Sequence, residues 1–191
     1  MLKLICRHNI HEVFYMRRIA IILTIIVWFV HPAGIMAQGG FTREKAVFIY
    51  NFSREVGWPE NNQGNDFVVA VLGADDLYSE LAGYATGKSI SGRRIVVRKV
   101  ENPGEAAHCQ VLYMGSTSFK ELAGMAGRLN DENTLVITDK RGAIWNGAGI
   151  CFAVVNDRLQ YGVSPENIRK AGLKYTSNLV DLAVDIPYSQ R

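Results

Sequence analysis

The chain has 191 residues, with 21 Lys and Arg against 18 Asp and Glu, and 48% of its residues are hydrophobic. The small basic excess belongs to residues 1–37; beyond them 17 basic residues face 17 acidic ones. That neutral remainder lacks the clustered positive charge of a nucleic-acid-binding surface. Its 154 residues are enough for one core without a metal or disulfide staple.

Taken in chain order, the first readable element is a leader. Met16, Arg17 and Arg18 supply a positive start, Ile19 to Val30 is apolar apart from Thr24, and Pro32 breaks the run. Ala33 to Ala37 then forms a small-residue approach to a cleavage site placed after Ala37. This is the layout of a secretory signal peptide, and the apolar run falls short of the roughly 20 residues of a membrane span. The rival reading is an uncleaved N-terminal anchor. Residues 1–15 fit neither pattern, and Met16 is an alternative start. Both readings put residues 38–191, expected to be a single domain, outside the cytoplasmic membrane.

Thr42 to Val56 has helical spacing, with Thr42 as cap, Ala46, Ile49, Phe52 and Val56 inward, and Gly57 as a left-handed stop before Trp58-Pro59. Phe67 to Leu72 reads as a strand buried on both faces. Asp75 then caps a helix to Ala85, closed by Gly87. After a turn at Ser91-Gly92, strands follow at Ile95 to Val100 and Cys109 to Met114. Ser118 and Glu121 match a capping box opening a helix to about Leu129, and Thr134 to Thr138 is the next strand. Trp145 to Gly149 is a turn. Ile150 to Val155 and Arg158 to Val163 form a hairpin through Asn156-Asp157. Ser164-Pro165-Glu166 opens a helix that stops at Gly172, and a last helix runs from Ser177 to about Val184.

This alternation predicts an α/β fold with a mixed, mostly parallel central sheet of five to six strands and helices on both faces. A C-terminal β-hairpin and further helices complete it.

The chemistry-bearing residues are sparse. His108 is the single histidine after residue 37, too few for an imidazole metal site. His108 and Cys109, as strand neighbours, point to opposite faces, which argues against a nucleophilic pair. No catalytic, cofactor-binding or metal-binding residue is assigned. Gly73-Ala74-Asp75 and Gly115-Ser116-Thr117 each join a strand to a helix, where open sheets hold ligands. Neither matches GxGxxG or a P-loop. Gly73, Asp75, Gly115 and Ser116 are therefore kept as a candidate ligand crevice, with an ordinary strand-to-helix turn as the simpler reading. Arg93-Arg94 and Arg98-Lys99 read as a solvated strand edge. Trp58 and Trp145 each stand at the end of an element and are the candidates for exposed interface anchors. Cys109 and Cys151 are the candidate redox thiols.

The segments KAVFIYNFSREVGWP (45–59), VAVLGADDLYSEL (69–81), SISGRRIVVRKV (89–100), HCQVLYMGS (108–116), TLVITD (134–139) and NIRKAGLKYTSNLVDLA (167–183) together resemble the YfiR-like family. The resemblance implies a periplasmic, non-enzymatic α/β protein, commonly dimeric. It implies repression of a membrane-bound diguanylate cyclase through that enzyme's periplasmic sensor region, lowering cyclic di-GMP, with relief by redox state or envelope stress. It also implies that Cys109 and Cys151 belong to two different disulfides, yet this chain has no further cysteine beyond residue 37 to partner either. A bond between the two is disfavoured if the Thr134 to Thr138 strand lies between theirs. That arrangement puts them near 10 Å apart, against the 4.4–6.8 Å a disulfide needs.

Three functions are carried forward. The leading one is a periplasmic regulator whose partner is the periplasmic region of an inner-membrane diguanylate cyclase or sensor kinase. The second is a periplasmic small-ligand-binding module using the crevice above. The weakest is an enzyme built on His108 and Cys109.

Overall fold

A computed structural model of the chain describes residues 40–59 and 65–185. The leader, part of the loop before the first long strand, and residues 186–191 lie outside the described residues.

The first helix, α1 (Thr42–Glu55), presents Ala46, Ile49 and Phe52 to the core. Ser53 is buried with them, its Oγ donating to the Ile49 carbonyl at 2.8 Å, which satisfies an otherwise costly hydroxyl. Thr42 is the first helical residue and not the cap. Phe41 holds that position in the left-handed region (φ 77°), with no side-chain cap bond. Val56 and Gly57 form a two-residue strand, β1, so Gly57 is an extended residue and not a left-handed stop. β2 (Asp66–Leu72) follows, then α2 (Asp75–Ala85). Asp75 begins α2 without capping it by its side chain, while Gly87 closes the region with φ 73° as expected.

β3 (Ser89–Ile90) and β4 (Arg93–Val100) make a tight hairpin around Ser91-Gly92, and β5 (Val111–Met114) comes next. Ser118 opens a 3-10 turn and not a capping box; α3 (Leu122–Asp131) starts beyond it, with no side-chain cap. β6 (Leu135–Thr138), a 3-10 turn at Ala143–Asn146, and the hairpin β7 (Ile150–Val155) and β8 (Arg158–Val163) complete the sheet. Asn156 and Asp157 both have positive φ (51° and 56°), the conformation of a type I′ turn. α4 (Pro165–Lys170) is capped by Ser164, whose Oγ accepts from the Asn167 N–H at 3.2 Å. β9 (Lys174–Tyr175) pairs antiparallel with β1. α5 (Ser177–Asp181) ends three residues before the expected Val184.

The main sheet has seven strands in the order β3-β4-β2-β5-β6-β7-β8. β4, β2, β5, β6 and β7 are parallel, and β3 and β8 are antiparallel edges. The sequence reading of five to six strands missed β3, whose two residues pair only with Arg93 and Arg94. Alternate residues of β2 serve two cores. Phe67, Val69 and Val71 join α1, α2, α4 and α5 on one face, and Ala70 and Leu72 join α3 on the other. The first core centres on Phe52, whose ring lies 4.6 Å from Tyr161, 5.6 Å from Phe48 and 5.8 Å from Phe152. Truncating such a ring typically costs about 3–5 kcal/mol.

Candidate functional site

Strand order makes the space between β2 and β5 the point where crossovers leave in opposite directions, the usual ligand position in open α/β sheets. The sequence-predicted crevice residues Gly73, Asp75, Gly115 and Ser116 all lie there, following the ends of β2 and β5. The place is closed by the protein itself. The Gly115 N–H donates to the Leu72 carbonyl at 2.8 Å, and a Cβ on Gly115 would collide with the Gly73 carbonyl oxygen. The Ser118 hydroxyl occupies the space above Gly73. Asp75 pairs with Lys99 at 3.0 Å and, with Asp76, places negative charge in the first turn of α2. Those carboxylates already satisfy the positive end of the helix and oppose an anionic ligand.

Cys109 and Cys151 are buried free thiols. Cys109 Sγ donates to the Ala106 carbonyl at 3.2 Å, and Cys151 Sγ to the Lys140 carbonyl at 3.0 Å. β6 separates their strands, and the register aligns Cys151 with Thr138 and hence with Met114, five residues past Cys109. The offset is about 16 Å along the strands and about 10 Å across them, beyond disulfide reach. Burial pushes both thiols up to about 12, so neither is a thiolate at neutral pH. His108 is exposed, with φ 57°, while Cys109 points into the second core, so the two make no nucleophile pair.

The two tryptophans part company. Trp58, expected to be exposed, is half-buried: its ring meets Phe67 edge-on at 4.9 Å and its Nε1 donates to the Gln110 carbonyl at 3.2 Å. Gln110 also accepts the Val68 N–H on its side chain at 2.6 Å, so Trp58 belongs to the lock between β2 and β5. Trp145 is 72% exposed. Its 3-10 turn lies between Gly142 (φ 82°) and Gly147 (φ 107°). Asn167 of α4 clamps that turn, its Nδ2 donating to the Ile144 and Ala148 carbonyls at 2.7 and 2.8 Å. An indole held outward on a fixed support loses little entropy on docking.

Two features escaped the sequence reading. One is a half-buried ion pair, Lys45 Nζ to Asp139 Oδ2 at 2.9 Å, joining α1 to the end of β6. Tyr113 lies beside it, its hydroxyl pushed far above the ordinary value by burial and by Asp139. The other is a chain of concavities. A cavity of about 460 Å³ is lined by Phe48, Phe52, Leu159, Tyr161 and the exposed Leu182. It shares Phe48 with a groove of about 330 Å³ along α1, and Val184 with one of about 580 Å³ that reaches Trp145. The first and third are lined by residues far apart in sequence, so no local motif signals them, whereas the groove along α1 is lined by residues 43–51 alone.

The basic residues of β4 are engaged: Arg94 with Asp66 at 3.1 Å, Lys99 with Asp75 and Glu101, and Arg93 stacked 5.1 Å from the Phe67 ring. Among the described residues no group of His, Cys, Asp and Glu could hold a metal ion, and no helix is long and apolar enough to cross a membrane.

A mixed seven-stranded α/β sheet with a filled switch point thus carries the Trp145 indole beside a concavity lined by Val163, Pro165, Glu166, Arg169 and Val184. A family model described as YfiR/HmsC-like matches residues 42–184, and the chain belongs to that family. The family is one of periplasmic regulators of diguanylate cyclase pathways that act through protein–protein contact. No curated protein matches the chain.

Proposed function

We propose that this protein is a periplasmic repressor that binds the periplasmic sensor region of an inner-membrane diguanylate cyclase and lowers cyclic di-GMP. The observation that carries the reading is Trp145, 72% exposed on a turn clamped by Asn167 and bordering a concave surface of mixed polarity. Rigid aromatic anchors of this kind dominate binding energy at protein interfaces. Repression then follows by mass action. A protein that binds the inactive conformation of the cyclase more tightly than the active one shifts the population toward the inactive form. Because no disulfide joins Cys109 and Cys151, redox control would act without that bond. Deleting the gene should raise cyclic di-GMP, and the tagged protein should co-purify with a membrane cyclase through Trp145. Unchanged cyclic di-GMP in a strain that retains the cyclase overturns the proposal.

A second reading, a small-ligand sensor, is favoured by the cavity between α1 and β8. Its volume of about 460 Å³ and its aromatic lining match the range of small-molecule sites. A thermal-shift screen separates the two readings, since a ligand at about 100 times its Kd adds about 2.7 kcal/mol. Leu159→Trp, which fills the cavity, should abolish such a shift.

A further inference from the structure

The main sheet ends on two sides, and only one of them is protected against further pairing. On one side β3 covers Arg93 and Arg94, and the exposed Arg98 and Lys99 charge the open remainder of β4, the usual defence of a sheet edge. On the other side β8 runs Leu159-Gln160-Tyr161-Gly162-Val163 without a charge. The Ser164 N–H donates to the Gly149 carbonyl, so 164/149 is a hydrogen-bonded pair, and so are 162/151 and 160/153 by alternation. The backbone groups of Leu159, Tyr161 and Val163 therefore point away from β7. Among the described residues, the N–H and carbonyl of Leu159 and Val163 and the N–H of Tyr161 find no partner. The Tyr161 carbonyl is engaged, accepting from the Val184 N–H at 2.9 Å. The exposed large hydrophobic side chains among the described residues all border this strand. Val154 is the cross-strand partner of Leu159, Leu182 shares a cavity with Leu159 and Tyr161, and Trp145 shares a concavity with Val163. Apolar exposure gathered along an unprotected edge marks an interaction surface.

We propose that β8 is the strand to which the partner adds one of its own: an extended segment of the cyclase's periplasmic region, uncharged along its body and acidic at the end that meets the β7–β8 hairpin. This rests on the reading of the protein as a cyclase repressor and says how the two chains join. Main-chain bonds to Leu159, Tyr161 and Val163 supply the pairing, while Leu182 and Trp145 receive side chains of the added strand. The uncharged body matches Leu159 to Val163. The acidic end follows from charge, because Arg158 and Arg141, whose guanidinium reaches the Val154 carbonyl, are both exposed at the hairpin against Asp157. A second copy fits less well. Two β8 edges paired about a two-fold axis turn the same face of each sheet to the same side, which crowds the α5 helices and the 182–185 segments of both copies along one line. A lone strand displaces a single Val184 bond and meets no such obstacle.

Hydrogen exchange read by NMR tests it, on the purified protein alone and with the purified periplasmic region of the membrane cyclase that co-purifies. In the complex the Leu159 and Val163 amides should exchange at least about tenfold slower, while those of Gln160 and Gly162, already bonded to β7, change little. Leu159→Pro removes an outward donor and no bond to β7, and should weaken binding at least about fivefold more than Leu159→Ala. Val184→Pro frees the Tyr161 carbonyl and should strengthen binding several-fold. A complex in which the Leu159 and Val163 amides exchange as in the free protein overturns strand addition and leaves the repressor reading standing. If no membrane cyclase binds, both fall. Protection of the same amides that grows with the concentration of the free protein also overturns the proposal, and assigns the edge to a second copy.

Discussion

Lys45, in the first turn of α1, and Asp139, just past β6, are 94 positions apart in sequence and meet at 2.9 Å with side chains only 18% and 29% exposed. The second carboxylate oxygen, Asp139 Oδ1, is buried without a hydrogen-bond partner. Lys45 is therefore the counter-charge that makes this carboxylate tolerable. Lys45→Met should destabilise the protein by about 1–3 kcal/mol, read as a lower urea midpoint at unchanged slope. Adding Asp139→Asn should recover part of the loss, because the orphaned charge goes with it. A double variant no more stable than Lys45→Met would show that the pair does not act as a unit.

The contact between Gly115 and the Gly73 carbonyl leaves no room for a methyl group. Gly115→Ala forces β2 and β5 apart at their ends and should cost about 1–3 kcal/mol. Gly83→Ala, at an open helical position, should be neutral or stabilising, by up to about 1 kcal/mol. Equal midpoints for the two variants would refute this account of the switch point.

The buried thiols set an alkaline limit. Cys109 titrates near 9 when exposed and at about 12 in the folded protein, so between those values the unfolded chain has lost a proton that the native protein keeps. Stability is then intact below pH 9 and falls as pH rises toward 12, by about 1.4 kcal/mol per pH unit for this thiol. Cys109→Ala should flatten the decline between pH 9 and 10.5 in urea titrations, at some cost in packing at neutral pH. Thiol reagents should label Cys109 and Cys151 only as fast as the protein opens.

The two tryptophans should give opposite signatures. Trp58→Ala removes an edge-on contact with Phe67 and the bond to Gln110, and should cost about 3–5 kcal/mol of stability. Trp145→Ala should change stability by less than about 0.5 kcal/mol, yet weaken partner binding by at least about 2 kcal/mol, some thirtyfold in Kd. Calorimetry on the free protein and a binding titration on the cyclase sensor region measure the two effects.

Legibility in the sequence followed the range of the interaction. Asn156-Asp157 and Ser164-Pro165 announce their turn and cap because the physics is local: positive φ at two residues, a hydroxyl reaching three residues ahead. β2 was readable because burial on both faces makes it apolar throughout. The pairing of β1 with β9 exists only when distant chain is already in place, and β3, though local, is a two-residue ladder too short for periodicity to mark. The crevice residues do converge at the switch point, but its closure depends on the Ser118 side chain and on a backbone contact that no spacing encodes. Trp58 was misplaced for a similar reason: its partner, Gln110, is 52 residues away.

The clasp between β1 and β9, reinforced by the Thr176 N–H to the Glu55 carbonyl at 3.0 Å, bears on the timing of assembly. α1 emerges from the ribosome early, but its aromatic residues find Phe152 and Tyr161 only after some hundred further residues have been made. Closing so long a loop is slow, and a nascent chain cannot attempt it piecemeal. Synthesis of most of the polypeptide must therefore precede the consolidation of its first helix, leaving a window in which the chain is still pliant enough to be threaded or handed to a chaperone.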